Sequence, residues 1–250
     1  MRLGNAPDVR MCGIPGRWAR AGARRTLAAS EAPTKGLPDM TDTTTGITVP
    51  DTALAREAAD LVRDTAGPLL YDHSSRVYLF GALQGWRRGL DFDAELLYVA
   101  ALFHDLGLVD GHRTDRRFEL DGADEARRFL LGHGVDAERA RIAWTAIALH
   151  TTPGIPAHME PEIALVTAGV EYDVLGIGFH DLPAAARAAI VAAHPRPDFK
   201  RRILAAFTDG IRDRPDTAFG NVKADVLARF VPGFERQDFV TTILDSPWED

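Results

Sequence analysis

The sequence predicts an all-α protein, and three observations carry that expectation. From Asp51 onward, apolar residues recur at helical spacing with little interruption. Strand-type alternation never persists beyond a few residues. One segment, "DAELLYVAALFHDLG", is apolar on every side, as a helix at the centre of a bundle must be.

The elements follow in order. Asp51 and Thr52 offer caps for "TALAREAADLVRDTAG", and Gly67 with Pro68 supplies a stop. "LLYDHSSRVYLFGALQGWRRG" comes next, with Val77, Phe80 and Leu83 at helical spacing. The all-round apolar segment is third. Asp121 or Asp124 is expected to start "ADEARRFLLGHG", and Asp136 to cap "AERARIAWTAIALH". Later helices are expected over "EPEIALVTAGVEYDVLG", "LPAAARAAIVAAH", "DFKRRILAAFTDGIRD" and "NVKADVLARFV". With no repeat and no linker, residues 45–250 read as one helical domain.

Residues 1–44 differ. They are rich in Arg, Ala, Gly and Pro and poor in large apolar side chains, so they read as a disordered extension ahead of an ordinary start near Met40. An Arg-rich targeting segment is the competing reading, but the apolar centre of a secretory signal is missing.

Bulk properties exclude some functions. A chain of 250 residues can bury a sizeable core. Its net charge of -7 argues against nucleic-acid binding by bulk electrostatics. Cys12 is the sole cysteine, so no internal disulfide forms, which fits a reducing, cytoplasmic setting. No apolar run has the length of a membrane span.

Four chemistry-bearing residues stand out. His73 lies early in the second helix, His104 and Asp105 close the apolar helix, and Asp173 sits in "GVEYDVLG". A carboxylate in such an apolar setting needs a partner, and a divalent metal is one. Neighbouring residues in a helix point about 100° apart, so His104 and Asp105 could not face one metal from mid-helix. Near Gly107, where the helix ends, they can.

The order H…HD…D resembles the HD superfamily of metal-dependent hydrolases. "HSSRVYLFG", "ELLYVAALFHDLGLVD", "RFELDGADEARRFL" and "AIALHT" are similar, in order, to segments of its cyanamide hydratase-like branch, over most of residues 70–180. The resemblance implies an HD-domain helical bundle with one divalent metal among its central helices. That metal is expected to be zinc, with iron or manganese as alternatives, held by His73, His104, Asp105 and Asp173. It also implies activation of water for attack on a small nitrile-like substrate, such as cyanamide going to urea. Beside Asp105, the catalytic candidates are His150, as proton shuttle, and Thr151, orienting water or the substrate nitrogen; a fifth ligand or a helix C-terminal residue favoured by the dipole are the competing readings of His150.

Arg76, His112, Phe118 and Glu119 are the substrate-pocket candidates. Arg76, one turn after His73, could equally orient a carboxylate ligand or form a structural ion pair. Phe118 is also a core candidate, and Asp121 reads as a helix cap. His133 reads as a helix end, and His158, His180 and His194 as exposed or capping. The second His-Asp pair, His180 and Asp181, follows no apolar helix and reads as coincidence.

Two other chemistries compete. A phosphohydrolase would need basic side chains near the metal, for which Arg113, Arg116 and Arg117 are candidates. A two-iron oxygenase would need His150 joined by His112 or His133. The expected partner is a small-molecule substrate, with neither nucleic acid nor membrane. Apolar positions in "VLARFV" would permit a homodimer, although core packing explains them equally well.

Overall fold

A computed structural model describes residues 46–247, so the extension read over residues 1–44 lies outside the described residues. Among the described residues the secondary structure is helical throughout. Helix α1 (Ala53–Arg88) is capped by the Thr52 hydroxyl, which accepts from the Ala55 amide. The expected stop appears inside this span as a break. Gly67 takes φ 70° and ψ 174°, and Pro68 restarts the helix, so the second arm leaves at a new angle carrying His73 and Arg76.

Helix α2 (Ala94–Phe103) is capped by Asp93, and every residue from 96 to 103 is buried. It lies against α1 and three later helices: α3 (Phe118–Gly132), α4 (Ala137–Leu149) and α5 (Pro161–Val170). That environment matches its all-round apolar composition. Burying side chains such as Leu97, Val99 and Leu102 stabilises the fold by about 1.5–3 kcal/mol each.

Four helices follow: α6 (Ala184–Ala193), α7 (Phe199–Ile211), α8 (Lys223–Phe230) and α9 (Phe239–Leu244). A second buried cluster of Leu108, Phe118, Ile211, Ala224 and Leu227 joins α7 and α8 to the turn after α2 and to the start of α3. The C-terminal helices therefore pack at the end of α2 where His104 and Asp105 lie. Among the described residues, no helix is long and apolar enough to cross a membrane.

Two boundaries depart from expectation. Helix α3 begins at Phe118, so Asp121 is not a cap. It is buried in the first turn, where its carboxylate accepts from the Thr114 amide and hydroxyl and from the Arg214 guanidinium. Arg214 also donates to the carbonyls of Gly107, Thr114 and Arg116, tying the end of α7 to both sides of the turn. Helix α5 stops at Val170 and continues as a π-turn, Glu171–Leu175, which Gly176 closes in the left-handed conformation. His133 ends α3 and His194 ends α6, while His158, His180 and Asp181 are exposed.

Candidate metal centre

The centre is built where α2 runs out. His104 keeps helical angles (φ −59°, ψ −34°), whereas Asp105 departs to φ −103°, ψ 5° and leads into a 3-10 turn, Leu106–Leu108. This local unwinding lets two adjacent residues face one point. The turn is pressed onto α3 by two glycines. A Cβ at Gly107 would stand 2.1 Å from the Phe118 carbonyl oxygen, and one at Gly122 would stand 2.8 Å from that of Phe103.

His73 approaches from the second arm of α1. Its Nε2 is 3.2 Å from His104 Nε2, and Asp105 Oδ2 lies 3.3 Å from His104 Nε2 and 3.6 Å from His73 Nε2. All three side chains are buried. With zinc–ligand bonds of about 2.0–2.2 Å, the edges of a coordination tetrahedron measure roughly 3.3–3.6 Å. The three observed separations fit one face of such a tetrahedron.

Proton placement supports the same fit. His73 Nδ1 donates to Asp173 Oδ2 at 2.7 Å, His104 Nδ1 to the Ala101 carbonyl at 2.7 Å, and His150 Nδ1 to the Ile147 carbonyl at 2.6 Å. In the neutral rings these acceptors take the Nδ1 proton, so each Nε2 then presents a lone pair. Two lone pairs 3.2 Å apart repel unless a cation lies between them. Both Asp105 carboxylate oxygens and His150 Nε2 are buried without a hydrogen-bond partner among the described residues. Each such group costs about 1–3 kcal/mol when nothing compensates it. A divalent cation held by His73, His104 and Asp105 would remove much of that cost.

The electrostatics follow from burial and neighbours. Burial lowers the pKa of His73 and favours the neutral ligand form, against the opposing bond to Asp173. Burial alone would raise the Asp105 carboxyl, but His104, His150 and His73 hold it well below the usual carboxylate range.

Asp173, expected as the fourth ligand, does not join this group. Its oxygens accept from His73 Nδ1 and from Arg76 Nε and Nη2 at 2.9 Å each, and the Arg196 guanidinium forms an ion pair with it at 3.1 Å. The π-turn puts Asp173 behind His73, while Val170, Glu171 and Val174 line the cavity in front. In this arrangement the Asp173 carboxylate holds the His73 ring from its Nδ1 side. Arg76, fully buried, clamps Asp173 and donates to the carbonyls of His194 and Pro195.

A cavity of about 220 Å³ opens beside the cluster, with His73, His104, Asp105, His150 and Thr151 at its polar end. The expected pocket residues Arg76, His112, Phe118 and Glu119 do not line it. Arg76 is held behind His73. His112 turns to Glu125, 3.5 Å away on α3. Phe118 supports the His150 ring edge-on from 5.5 Å. Glu119 is buried and accepts from Thr151 Oγ1 at 2.5 Å, from Arg117 at 3.0 Å and from Lys223 Nζ at 2.7 and 2.8 Å. A larger cavity, about 640 Å³, is lined by Ile47, Arg63, Tyr71 and Tyr98 and shares no residue with the cluster.

Lys223, Arg196 and Glu171 are the residues that sequence reasoning missed. Lys223 shares a helix face with buried Leu227, four residues on, which was the only signal available for it. Burial lowers its ammonium to about 8 despite the Glu119 carboxylate. Burial opposes ionisation of Glu119 too, yet Lys223, Arg117 and His150 bring its carboxyl down to about 2.

The described residues thus form an all-helical domain whose His-His-Asp corner, at the end of its central helix, could hold a metal ion. The HD domain family model matches residues 70–195, half of the chain, and the protein belongs to that family of metal-dependent hydrolases. No curated protein matches the chain. The matched span holds His73, His104, Asp105, His150 and Asp173, whereas α7, α8 and Lys223 lie beyond it.

Proposed function

We propose that the protein is a metal-dependent enzyme that adds water to a small, uncharged nitrile-class substrate, with cyanamide, giving urea, as the simplest case. The observation that carries this reading is the character of the cavity. Among the described residues no Lys or Arg lines it, and its walls beyond the His/Asp corner are mainly apolar. A phosphate ester would need several cationic donors there. The three arginines available to such a site are engaged elsewhere: Arg113 with Asp110, Arg116 with Asp124 and Asp121, and Arg117 with Glu119. A two-iron site would need His112 or His133, and these pair with Glu125 and Glu57.

His73, His104 and Asp105 would hold one divalent metal, for which zinc suits the imidazole and carboxylate donors, with iron or manganese as alternatives. Bound there, such an ion supplies Lewis acidity and brings the pKa of water toward neutrality. His150 supplies the proton traffic. Its Nε2 has no hydrogen-bond partner among the described residues and is 3.6 Å from Asp105 Oδ1, so in the neutral ring it can take a proton from water and return it to the nitrile nitrogen. Thr151 supplies orientation. Because its hydroxyl donates to Glu119, its oxygen is left to accept from a substrate N–H. The net reaction places the water oxygen on the nitrile carbon and both water protons on nitrogen.

The test is metal analysis of protein purified without added metal, followed by a urea assay of the same sample with cyanamide. One divalent ion per chain and urea formation are expected. Two irons per chain, or phosphate released from nucleotides with no urea formed, would overturn the reading.

A further inference from the structure

We infer that the substrate carries an uncharged apolar substituent beyond its reacting group, and that α7, α8 and the end of α5 hold that substituent. The inference rests on the hydration reading only for the identity of the reacting group. Cyanamide has three heavy atoms. The cavity, at about 220 Å³, is more than ten times the roughly 10–15 Å³ that a single water needs. Opposite the His/Asp corner its walls are Val174, Ile203, Leu204, Phe207, Val222 and Val226. A bare cyanamide touching the corner would leave most of this surface without a partner.

The walls also continue to the surface. Leu175 and Leu204 line the cavity and are nevertheless 65% and 39% exposed, so they form an apolar rim through which a substituent can enter. Among the described residues Glu171 is the only charged wall residue outside the corner, and none of them gives its carboxylate an ion pair. A lone acid beside an apolar channel disfavours an anionic substituent and leaves a neutral one unaffected. The apolar side chains come largely from α7 and α8, beyond residues 70–195 of the family match, so specificity is built by a part of the chain outside the metal-binding core.

The magnitude follows from apolar transfer. Each methylene removed from water contributes about 0.8 kcal/mol, close to a fourfold gain per carbon until the cavity is filled. The probes are n-alkyl hydroxamic acids from acetyl to hexanoyl, titrated calorimetrically into the metal-loaded protein, together with kcat/KM for N-alkylcyanamides of matching length. Kd is expected to fall about fourfold per methylene, with kcat/KM rising in parallel. Leu204→Gln, at a position exposed enough to accept a polar side chain, should flatten the slope over the outer carbons. A hydroxamate slope with no turnover of any cyanamide would sink the hydration reading and leave this inference standing. Affinity that is flat or falls with length, with cyanamide itself the best substrate, would overturn the inference and leave the hydration reading intact.

Discussion

Asp173→Asn separates a residue that orients a ligand from a residue that is one. The Asp173 carboxylate accepts from His73 Nδ1 and Arg76 and forms an ion pair with Arg196. Asparagine keeps the shape but removes the charge, and it weakens the bond that fixes the His73 tautomer. Loss of such an orienting partner lowers metal affinity by about 10–100-fold, or about 1.4–2.7 kcal/mol. The same change strands Arg76, which is 0% exposed, as a buried cation without a charged partner on Asp173. Breaking a buried pair in this way costs about 3–5 kcal/mol of folding stability. For a chain of this size that is about 6–20 °C in Tm. The double variant Asp173→Asn/Arg76→Met removes both charges and should recover part of the stability but none of the metal affinity. Urea unfolding of the metal-free proteins gives the first quantity, and competition against a chromophoric chelator gives the second. His73→Ala, which removes a ligand, is the reference for complete loss. Asp173→Asn behaving like His73→Ala in the chelator assay would refute the orienting role, as would affinity within threefold of wild type.

Three further perturbations test the site and its support. His150→Ala should leave metal content unchanged while lowering urea formation by about 10²–10⁴-fold, and undiminished turnover would remove His150 from the chemistry. Lys223→Met leaves the buried Glu119 carboxylate with only half-exposed Arg117 as a charged partner and should cost about 3–5 kcal/mol in urea unfolding, with Lys223→Met/Glu119→Gln milder; equal losses would argue against a coupled pair. The same variant tests pH dependence. Burial puts Lys223 at about 8 in the native state against 10.5 ordinarily, so between those values the unfolded chain binds more protons. This group therefore makes stability rise from pH 8 to 10.5, and the variant should lose that slope. Gly122→Ala places a methyl 2.8 Å from the Phe103 carbonyl oxygen and should destabilise by about 1–3 kcal/mol while weakening metal binding, read by the same two assays.

Some of this architecture was legible in the sequence because local chemistry decides it. The segment from 96 to 103 has no polar face, so it could only be central. Gly67 and Pro68 were legible as a stop, although the chain restarts at once and the two arms run on as one 36-residue element. The placement of His104 and Asp105 at a helix end followed from the angle between adjacent helical side chains. The separation of Asp173 from the His73, His104 and Asp105 group was not legible, because a 3.6-residue period gives no warning of the π-turn that carries it to the Nδ1 side of His73. His112 follows the HD pair closely in sequence, yet its loop turns it toward Glu125. Lys223 meets Glu119 across 104 residues, a contact that only tertiary packing creates.

The three imidazoles show how the fold divides the work. His73, His104 and His150 each donate Nδ1–H to a fixed acceptor, so their Nε2 atoms are aimed before any ion or substrate arrives. Two of those acceptors are carbonyls three residues back in the same helix, which makes the aim of His104 and His150 a local property of α2 and α4. The third is Asp173, which depends on Arg76 and on Arg196 from the segment before α7. His73 is therefore the imidazole of the corner whose geometry the distal chain can adjust. Helices α7 and α8 also supply the cavity walls and, through Lys223 and Glu119, the orientation of Thr151. Changes in these helices can thus alter what is bound and how Thr151 is presented, while the His104 and Asp105 end of α2 stays locked against α3 by Gly107 and Gly122.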